Sequence, residues 1–299
     1  MEKKRLGNSS LEVSRISLGC MSLPADLTEA QAIVDEALDH GINYFDTADL
    51  YGKGQNEEMV GKTLGSRRHD IILATKVGNQ WDANSDEVTW NPSKAYITAQ
   101  VHDSLRRLNT DWIDLYQLHG GMITDSSDET IEAFEELKKE GLIREYGISS
   151  IRPNVINRFL EDSAIVSIMM QYSLLDRRPE ELLETIGTAG RSVVTRGTLA
   201  KGLLTIEGLE RAKQHDGYLS YDRDELKKVL EQLTVVAENL NALALHAVLQ
   251  SETIASAVTG ASSARQIQET VEALETKISP EQIEQAKKIT KQMKYTEHR

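Results

Sequence analysis

Gly41-Ile42-Asn43-Tyr44-Phe45-Asp46-Thr47-Ala48-Asp49-Leu50-Tyr51-Gly52 is a short apolar run that ends in an acid and, five residues on, a phenol. Two more runs end on polar groups: Ile71-Ile72-Leu73-Ala74-Thr75 before Lys76, and Trp112-Ile113-Asp114-Leu115-Tyr116-Gln117-Leu118 before His119. Runs this short and apolar, each followed by a stretch with helical periodicity, read as buried strands alternating with helices.

The alternation extends along the chain. The residues before about Val13 are expected to form a hairpin turning near Gly7-Asn8-Ser9-Ser10. Strand one is read as Ile16 to Cys20, and helix one as starting at Thr28, an N-cap with Gln31 three residues on, and ending at His40-Gly41. Strands two, three and four lead to Asp46, Lys76 and His119. Their helices cover Glu57 to Leu64, Ser93 to Leu108 and Asp128 to Glu140. Strands five to eight are read at Ile143–Ile148, Val166–Met170, Ser192–Thr195 and Ala255–Val258. Helices are expected near Pro153, over Pro179–Ile186, over about Asp224–Leu249 and near Ser263. Eight such pairs with right-handed crossovers predict a (β/α)8 TIM barrel preceded by a short β-hairpin. An open doubly wound sheet is the runner-up. It is disfavoured because Gly19-Cys20-Met21-Ser22 lacks a G-x-G-x-x-G fingerprint and Gly52-Lys53-Gly54 lacks the third glycine. In such a barrel the active site lies at the carboxyl ends of the strands, where Asp46, Tyr51, Lys76 and His119 would meet.

Composition agrees with a globular enzyme. The 299 residues are 27% charged and 39% hydrophobic, and with five prolines and no Gly/Ser-rich stretch no linker divides them. One barrel domain over 1–299 is expected. A net charge of −13 argues against nucleic acid and anionic membranes as partners. The single cysteine, Cys20, allows no internal disulfide and points to the cytoplasm. No signal-like or membrane-length apolar run occurs. There is no H-E-x-x-H or cysteine pair for a metal and no G-x-S-x-G for a serine nucleophile.

Gly41 to Gly52 resembles the G-x-x-x-x-D-T-A-x-x-Y-G signature of the aldo-keto reductases. Ser104-Leu105-Arg106-Arg107-Leu108, Asp111 and Asp114 to His119 resemble that family's second signature, and Gly147-Ile148-Ser149-Ser150 its strand-five motif. The likeness runs from about Leu6 to about Leu274. It implies NADPH-dependent reduction of aldehydes or ketones, with the cofactor held without a Rossmann fold.

On that resemblance Tyr51 is the proton donor. A phenol ionises near about pH 10 in water, so an adjacent Lys76 ammonium would make its proton available. Asp46 would keep Lys76 charged and oriented, and His119 would bond the carbonyl oxygen. Taken singly, each residue reads more plainly as a cap, a packing tyrosine, a solvated lysine or a structural histidine.

The resemblance also assigns the cofactor contacts. Gly19, Cys20 and Met21 would lie near it, with Asp46, although Cys20 reads more simply as a buried small hydrophobe. Ser149, Ser150 and Gln171 would bond the nicotinamide carboxamide. Arg196, where the family commonly carries an aromatic ring, would stack through its planar guanidinium or pair with a phosphate or an acidic neighbour. Gly197, Thr198, Leu199, Ala200 and Lys201 form the strand-seven motif. Gly260, Ser262, Arg265, Gln266, Glu269 and Thr270 resemble the adenosine motif at a helix N-terminus. Arg223 and Arg265 are candidates for a 2′-phosphate, with solvated surface charge as the plain alternative.

The loop from Thr205 to Arg223 is read as a cover for the cofactor or as a surface loop. Substrate selectivity is expected from the surroundings of Trp81, Trp90 and Tyr172 and from the C-terminal tail. The partner is a small carbonyl substrate, and the chain a monomer or small homo-oligomer. The competing readings are a cofactor-binding sensor or regulatory subunit and a barrel lyase or isomerase.

Overall fold

The computed structural model describes residues 1–82, 85 and 87–299. Its strands are β1 (Lys3–Arg5), β2 (Glu12–Ser14), β3 (Ile16–Gly19), β4 (Tyr44–Asp46), β5 (Ile72–Val77), β6 (Asn79–Trp81), β7 (Val88–Trp90), β8 (Ile113–Leu118), β9 (Ile143–Ser149), β10 (Ser167–Gln171), β11 (Ser192–Arg196), β12 (Gly217–Tyr218), β13 (Tyr221–Asp222) and β14 (Ile254–Gly260). Its helices are α1 (Leu27–Asp39), α2 (Gln55–Leu64), α3 (Lys94–Leu108), α4 (Ser127–Lys139), α5 (Pro153–Asp162), α6 (Glu180–Thr188), α7 (Gly208–Ala212), α8 (Arg223–Val236), α9 (Leu240–Leu249), α10 (Ala264–Glu275) and α11 (Pro280–Ile289).

Eight strands close a parallel barrel in the order β3-β4-β5-β8-β9-β10-β11-β14, with β14 pairing back onto β3. Every residue of β5 and β8 is buried, as parallel strands covered on both faces require. Helices wrap the outside. Their apolar faces pack on the strands, as where Phe134 of α4 lies between Tyr116 and Tyr146 at 5.7 and 5.3 Å.

The hairpin β1–β2 plugs the amino-terminal mouth. Leu6, Leu11 and Val13 join Tyr44, Leu115, Val166 and Val194 in the barrel interior. Gly7 at the turn has φ +54, and a Cβ there would meet the Val166 carbonyl oxygen at 2.3 Å, so only glycine brings the turn this close. With that end sealed, the cavity opens at the carboxyl ends of the strands.

Several sequence expectations need correction. Helix α1 is capped by Asp26, whose side chain accepts from Glu29 N, and Thr28 lies inside its first turn. Cys20 belongs to a 3-10 turn over Cys20–Ser22 rather than to β3. The helix expected over Asp224–Leu249 is two, because Ala237 is extended and Asn239 caps α9 through Ala242 N at 3.0 Å. The stretch from Thr205 to Arg223 contains α7 and the hairpin β12–β13 rather than a plain loop. The hairpin β6–β7 and helix α11 were not anticipated. Part of the acidic stretch between Trp81 and Trp90, namely residues 83, 84 and 86, lies outside the described residues.

Candidate active site

Asp46 ends β4, and the chain leans on β5 as it leaves, with Thr47 N bonded to Ala74 O at 2.9 Å and Asp49 N to Lys76 O at 3.3 Å. This backbone contact brings the segment from Asp46 to Tyr51 over the end of β5. Gly52 at φ +57 and Gly54 at φ +86 then turn the chain into α2, a conformation that suits glycine.

Lys76 is fully buried. Its Nζ donates to Asp46 Oδ1 at 2.5 Å and to Thr47 O at 2.7 Å, and lies 5.2 Å from the centroid of the Tyr51 ring. Burial alone would pull this ammonium down. The Asp46 carboxylate and the neighbouring Tyr51 phenol outweigh it and hold Lys76 above its ordinary value. Burial also pushes the Asp46 carboxyl up, against the pull of Lys76 and of Gln117, whose Nε2 donates to Oδ2 at 3.4 Å. The short contact, backed by a carbonyl on the other side of Nζ, favours the charged pair.

His119 follows β8, held by its backbone N–H on Val77 O at 2.8 Å. Its ring meets the Tyr51 ring edge to face, with centroids 5.9 Å apart. Burial, then the charges of Lys76 and Arg196, push the imidazole down to about 3. It is therefore neutral at ordinary pH, with one nitrogen able to donate. Its Nδ1 is buried with no hydrogen-bond partner among the described residues.

Tyr51 and His119 form one side of a cavity of about 760 Å³ that also reaches Met21, Ser149, Ser150 and Arg196. Ser150 Oγ accepts from Arg152 N at 3.3 Å. Gln171 closes β10, with its oxygen accepting from Arg196 Nη1 and its nitrogen donating to Asp176 Oδ2, both at 2.9 Å. Thus six strand ends, β4, β5, β8, β9, β10 and β11, bring these sequence-derived residues together.

Others lie apart. Gly19 ends β3, and Cys20 beside it is fully buried with its thiol pushed up by burial. Gly197, Ala200 and Lys201 have φ of +70, +48 and +58, a tight turn after β11 in which Thr198 Oγ1 meets Thr195 Oγ1 at 3.0 Å, and Leu199 lies within it. Gly260 ends β14, and Ser262, Arg265, Gln266, Glu269 and Thr270 mark the start of α10; none of these lines the cavity. Ser263 caps α10 through Gln266 N, Ser262 N donates to Gln266 Oε1 at 2.8 Å, and Thr270 Oγ1 bonds back to Gln266 O. Arg265 pairs with Glu269 at 2.7 Å and Arg223 with Asp216; both arginines are exposed.

The expected selectivity residues divide. Trp90 is tied to Asp125 through Nε1, Tyr172 is buried with its hydroxyl on Glu180 at 3.0 Å, and neither they nor Trp81 line the cavity. The tail does, through Lys294 to His298. The sequence reading missed Gln117, Arg152 and Arg178. Gln117 had a signal, since it precedes His119 by two and shares its face of the strand. Among the described residues, no group of three or more His, Cys, Asp or Glu could hold a metal ion, and no helix is long and apolar enough to cross a membrane.

Comparison with known proteins bears on this arrangement. The family model described as "Aldo/keto reductase family" matches residues 15–291. "Uncharacterized oxidoreductase YqkF" of Bacillus subtilis (strain 168) is 52% identical over 305 residues, spanning 100% of both chains. The structure of "aldo-keto reductase AKR11C1 from Bacillus halodurans" in its holo form superposes with TM-score 0.96 at 54% identity, covering 100% of this chain and 99% of that one. Its apo form gives 0.86 at 51% identity over the same shares. "Glycerol dehydrogenase AKR11B4 from Gluconobacter oxydans" gives TM-score 0.84 at 25% identity, covering 96% of this chain and 94% of that one.

Proposed function

This chain belongs to the aldo/keto reductase family of oxidoreductases, and on that premise we propose that it reduces a small aldehyde or ketone to the alcohol with NADPH. The family uses a nicotinamide cofactor, and NADPH, when bound, supplies the hydride to the carbonyl carbon.

The protein's part is the proton. The Tyr51 hydroxyl donates it to the carbonyl oxygen as negative charge develops there. Lys76, clamped between Asp46 and Thr47 O, stabilises the phenolate left behind without moving. Neutral His119 bonds the same oxygen and fixes the approach of the carbonyl. Asp46 acts through Lys76 as a positioning residue, and Gln117 steadies Asp46.

The residues present suit the cofactor. Ser149, whose hydroxyl has no hydrogen-bond partner among the described residues, lines the cavity beside Ser150 and would bond the carboxamide with it. Gln171 would join them by exchanging its present partners. Arg196, bonded to Gln171 at the rim of β11 and released as Gln171 turns to the cofactor, would lay its guanidinium on the nicotinamide. The turn Gly197–Lys201 and the first turn of α10 offer backbone amides to the phosphates. Arg265 and Arg223 are each tied to a single exposed carboxylate that a 2′-phosphate could replace. The higher TM-score to the holo than to the apo relative supports a cofactor-ready shape.

One observation carries the reading: a fully buried lysine, with its charge held by Asp46, 5.2 Å from the ring of the tyrosine at the cavity wall. The test is Tyr51→Phe assayed with NADPH and a reactive aldehyde. Turnover should fall by roughly 10²–10⁴-fold while quenching of protein fluorescence by NADPH persists. Undiminished turnover in the variant would remove Tyr51 as the acid.

A further inference from the structure

The cavity is positively charged in a protein of net charge −13. Arg152, Arg178, Arg196 and Lys294 line it, and among the described residues the only carboxylate in the lining is Glu297. The four cations are not equivalent. Arg178 is neutralised by the buried Asp176, which accepts from Nε and Nη2 at 2.7 Å each. Arg152, Arg196 and Lys294 are in no ion pair among the described residues. Arg152 donates Nη1 to the Gly121 carbonyl and Arg196 donates to the Gln171 amide, both neutral partners. Glu297 stays within the tail, with Oε2 3.9 Å from His298 Nε2. The wall therefore carries uncompensated positive charge, and a cleft of one sign raises the local concentration of counter-charged ligand.

The position of Arg152 and Lys294 separates them from the cofactor's phosphates. The amide-rich turns and Arg265 lie at the ends of β11 and β14. Arg152 lies after β9, at the start of α5, and its bond to Gly121 ties it to the loop two residues beyond His119. Lys294 is held nearby because the tail is fastened at both sides. Asn154 N of α5 donates to His298 O at 2.8 Å, Tyr295 N donates to Glu181 of α6 at 3.0 Å, and Arg299 Nη2 reaches the same Glu181 at 2.6 Å. Among the described residues Arg152 hydrogen-bonds through Nη1 alone, which leaves Nε and Nη2 as a planar donor edge of the kind that grips a carboxylate in two-point fashion.

We propose that the carbonyl substrate bears a carboxylate, bound by Arg152 with Lys294 as a second charge, so that the enzyme prefers oxo-acids to neutral aldehydes. This rests on the reductase reading above and names the substrate class of the same site.

The test compares kcat/KM for the carboxybenzaldehyde isomers with that for their methyl esters, which differ in charge and little in shape. The best acid should exceed its ester by about 10–100-fold, the worth of one charge-assisted hydrogen bond. Arg152→Gln should collapse the ratio toward one, and so should added salt. Lys294→Gln, on the exposed tail, should lower the ratio without risk to folding. Binding of unreactive benzoate, against benzamide, to the enzyme with NADP⁺ gives a readout without turnover and should weaken in Arg152→Gln. Reduction of acid and ester at equal rates, or benzoate binding no tighter than benzamide, would overturn the proposal while leaving the reductase standing. A larger preference for glyceraldehyde 3-phosphate over glyceraldehyde than for acid over ester would overturn it in favour of a phosphate-bearing substrate. No reduction of any aldehyde in the panel would remove the reductase reading itself, and this inference with it.

Discussion

The imidazole of His119 stands edge to face against the phenol of Tyr51, with planes at 84°, and Lys76 Nζ lies 5.2 Å from the same phenol ring. A protonated imidazole would place a second cation beside Lys76 in a buried site. The structure avoids this by burial, which holds His119 near 3. Between its unfolded value of about 6.5 and 3, the unfolded chain binds a proton that the folded one does not. The stability linked to His119 is thus fully present above about pH 6.5 and is lost as pH falls toward 3. His119→Asn should flatten the dependence of Tm on pH across that window. An unchanged slope in the variant would show that His119 is not the titrating group.

The buried pair of Lys76 and Asp46 gives a second prediction. Lys76→Met removes the charge beside the phenol and leaves Asp46 buried without its partner. We expect a loss of roughly 10²–10⁴-fold in kcat, with destabilisation of roughly 3–5 kcal/mol from the stranded carboxylate. The double variant Asp46→Asn, Lys76→Met should regain much of the stability and none of the activity. Chemical denaturation and steady-state kinetics on the same preparations separate the two effects.

Asp49 concerns stability alone. It is fully buried, no side chain among the described residues hydrogen-bonds its carboxyl oxygens, and burial first, then the neighbouring Glu57, push it well above its ordinary value against the weaker pull of Arg107, the Leu50 backbone N–H and Lys76. Glu57 holds the nearby charge for itself, accepting from Arg107 Nε at 2.7 Å and Thr75 Oγ1 at 2.6 Å. A carboxyl raised on folding costs stability as pH climbs above its unfolded value, about 3.9. Asp49→Asn should therefore raise Tm at pH 7 and change it little near pH 3. A fall in Tm at pH 7 would contradict this.

Gly61 marks where α2 crosses α3. A Cβ there would lie 2.7 Å from the carbonyl oxygens of Arg107 and Leu108, backbone atoms that cannot move aside singly. Gly61→Ala, a favourable change in an isolated helix, should destabilise by roughly 1–3 kcal/mol through overpacking. Urea denaturation reads this directly, and a stabilised variant would mean that the two helices can part at no cost.

Much of the barrel was legible because its strands obey a local rule. Short, largely apolar runs such as Ile71 to Thr75 are buried on both faces, and a polar group follows at the carboxyl end of each. The stretches that escaped reading are those whose form depends on a distant partner. The hairpin β6–β7 stands on contacts such as Tyr96 OH to Asn79 O. Helix α11 carries a readable signal in Ser279-Pro280-Glu281-Gln282, where both capping-box bonds form, yet it lies beyond the eighth strand–helix pair and so outside the repeating pattern. The break between α8 and α9 left a trace in Asn239, a good cap inside an apolar stretch.

The sequence by itself determined the alternation of strands and helices, and hence the rim to which Asp46, Tyr51, Lys76 and His119 belong. Those properties follow from short-range patterns of apolar and polar residues and from backbone geometry. Only the tertiary structure decided the charge of the site. The neutrality of His119 comes from burial beside Lys76 and Arg196, the silence of Arg178 from Asp176, and the open edge of Arg152 from a loop and a tail distant in sequence. Electrostatic energy depends on distance and on exclusion of water, and neither is written in the order of the residues.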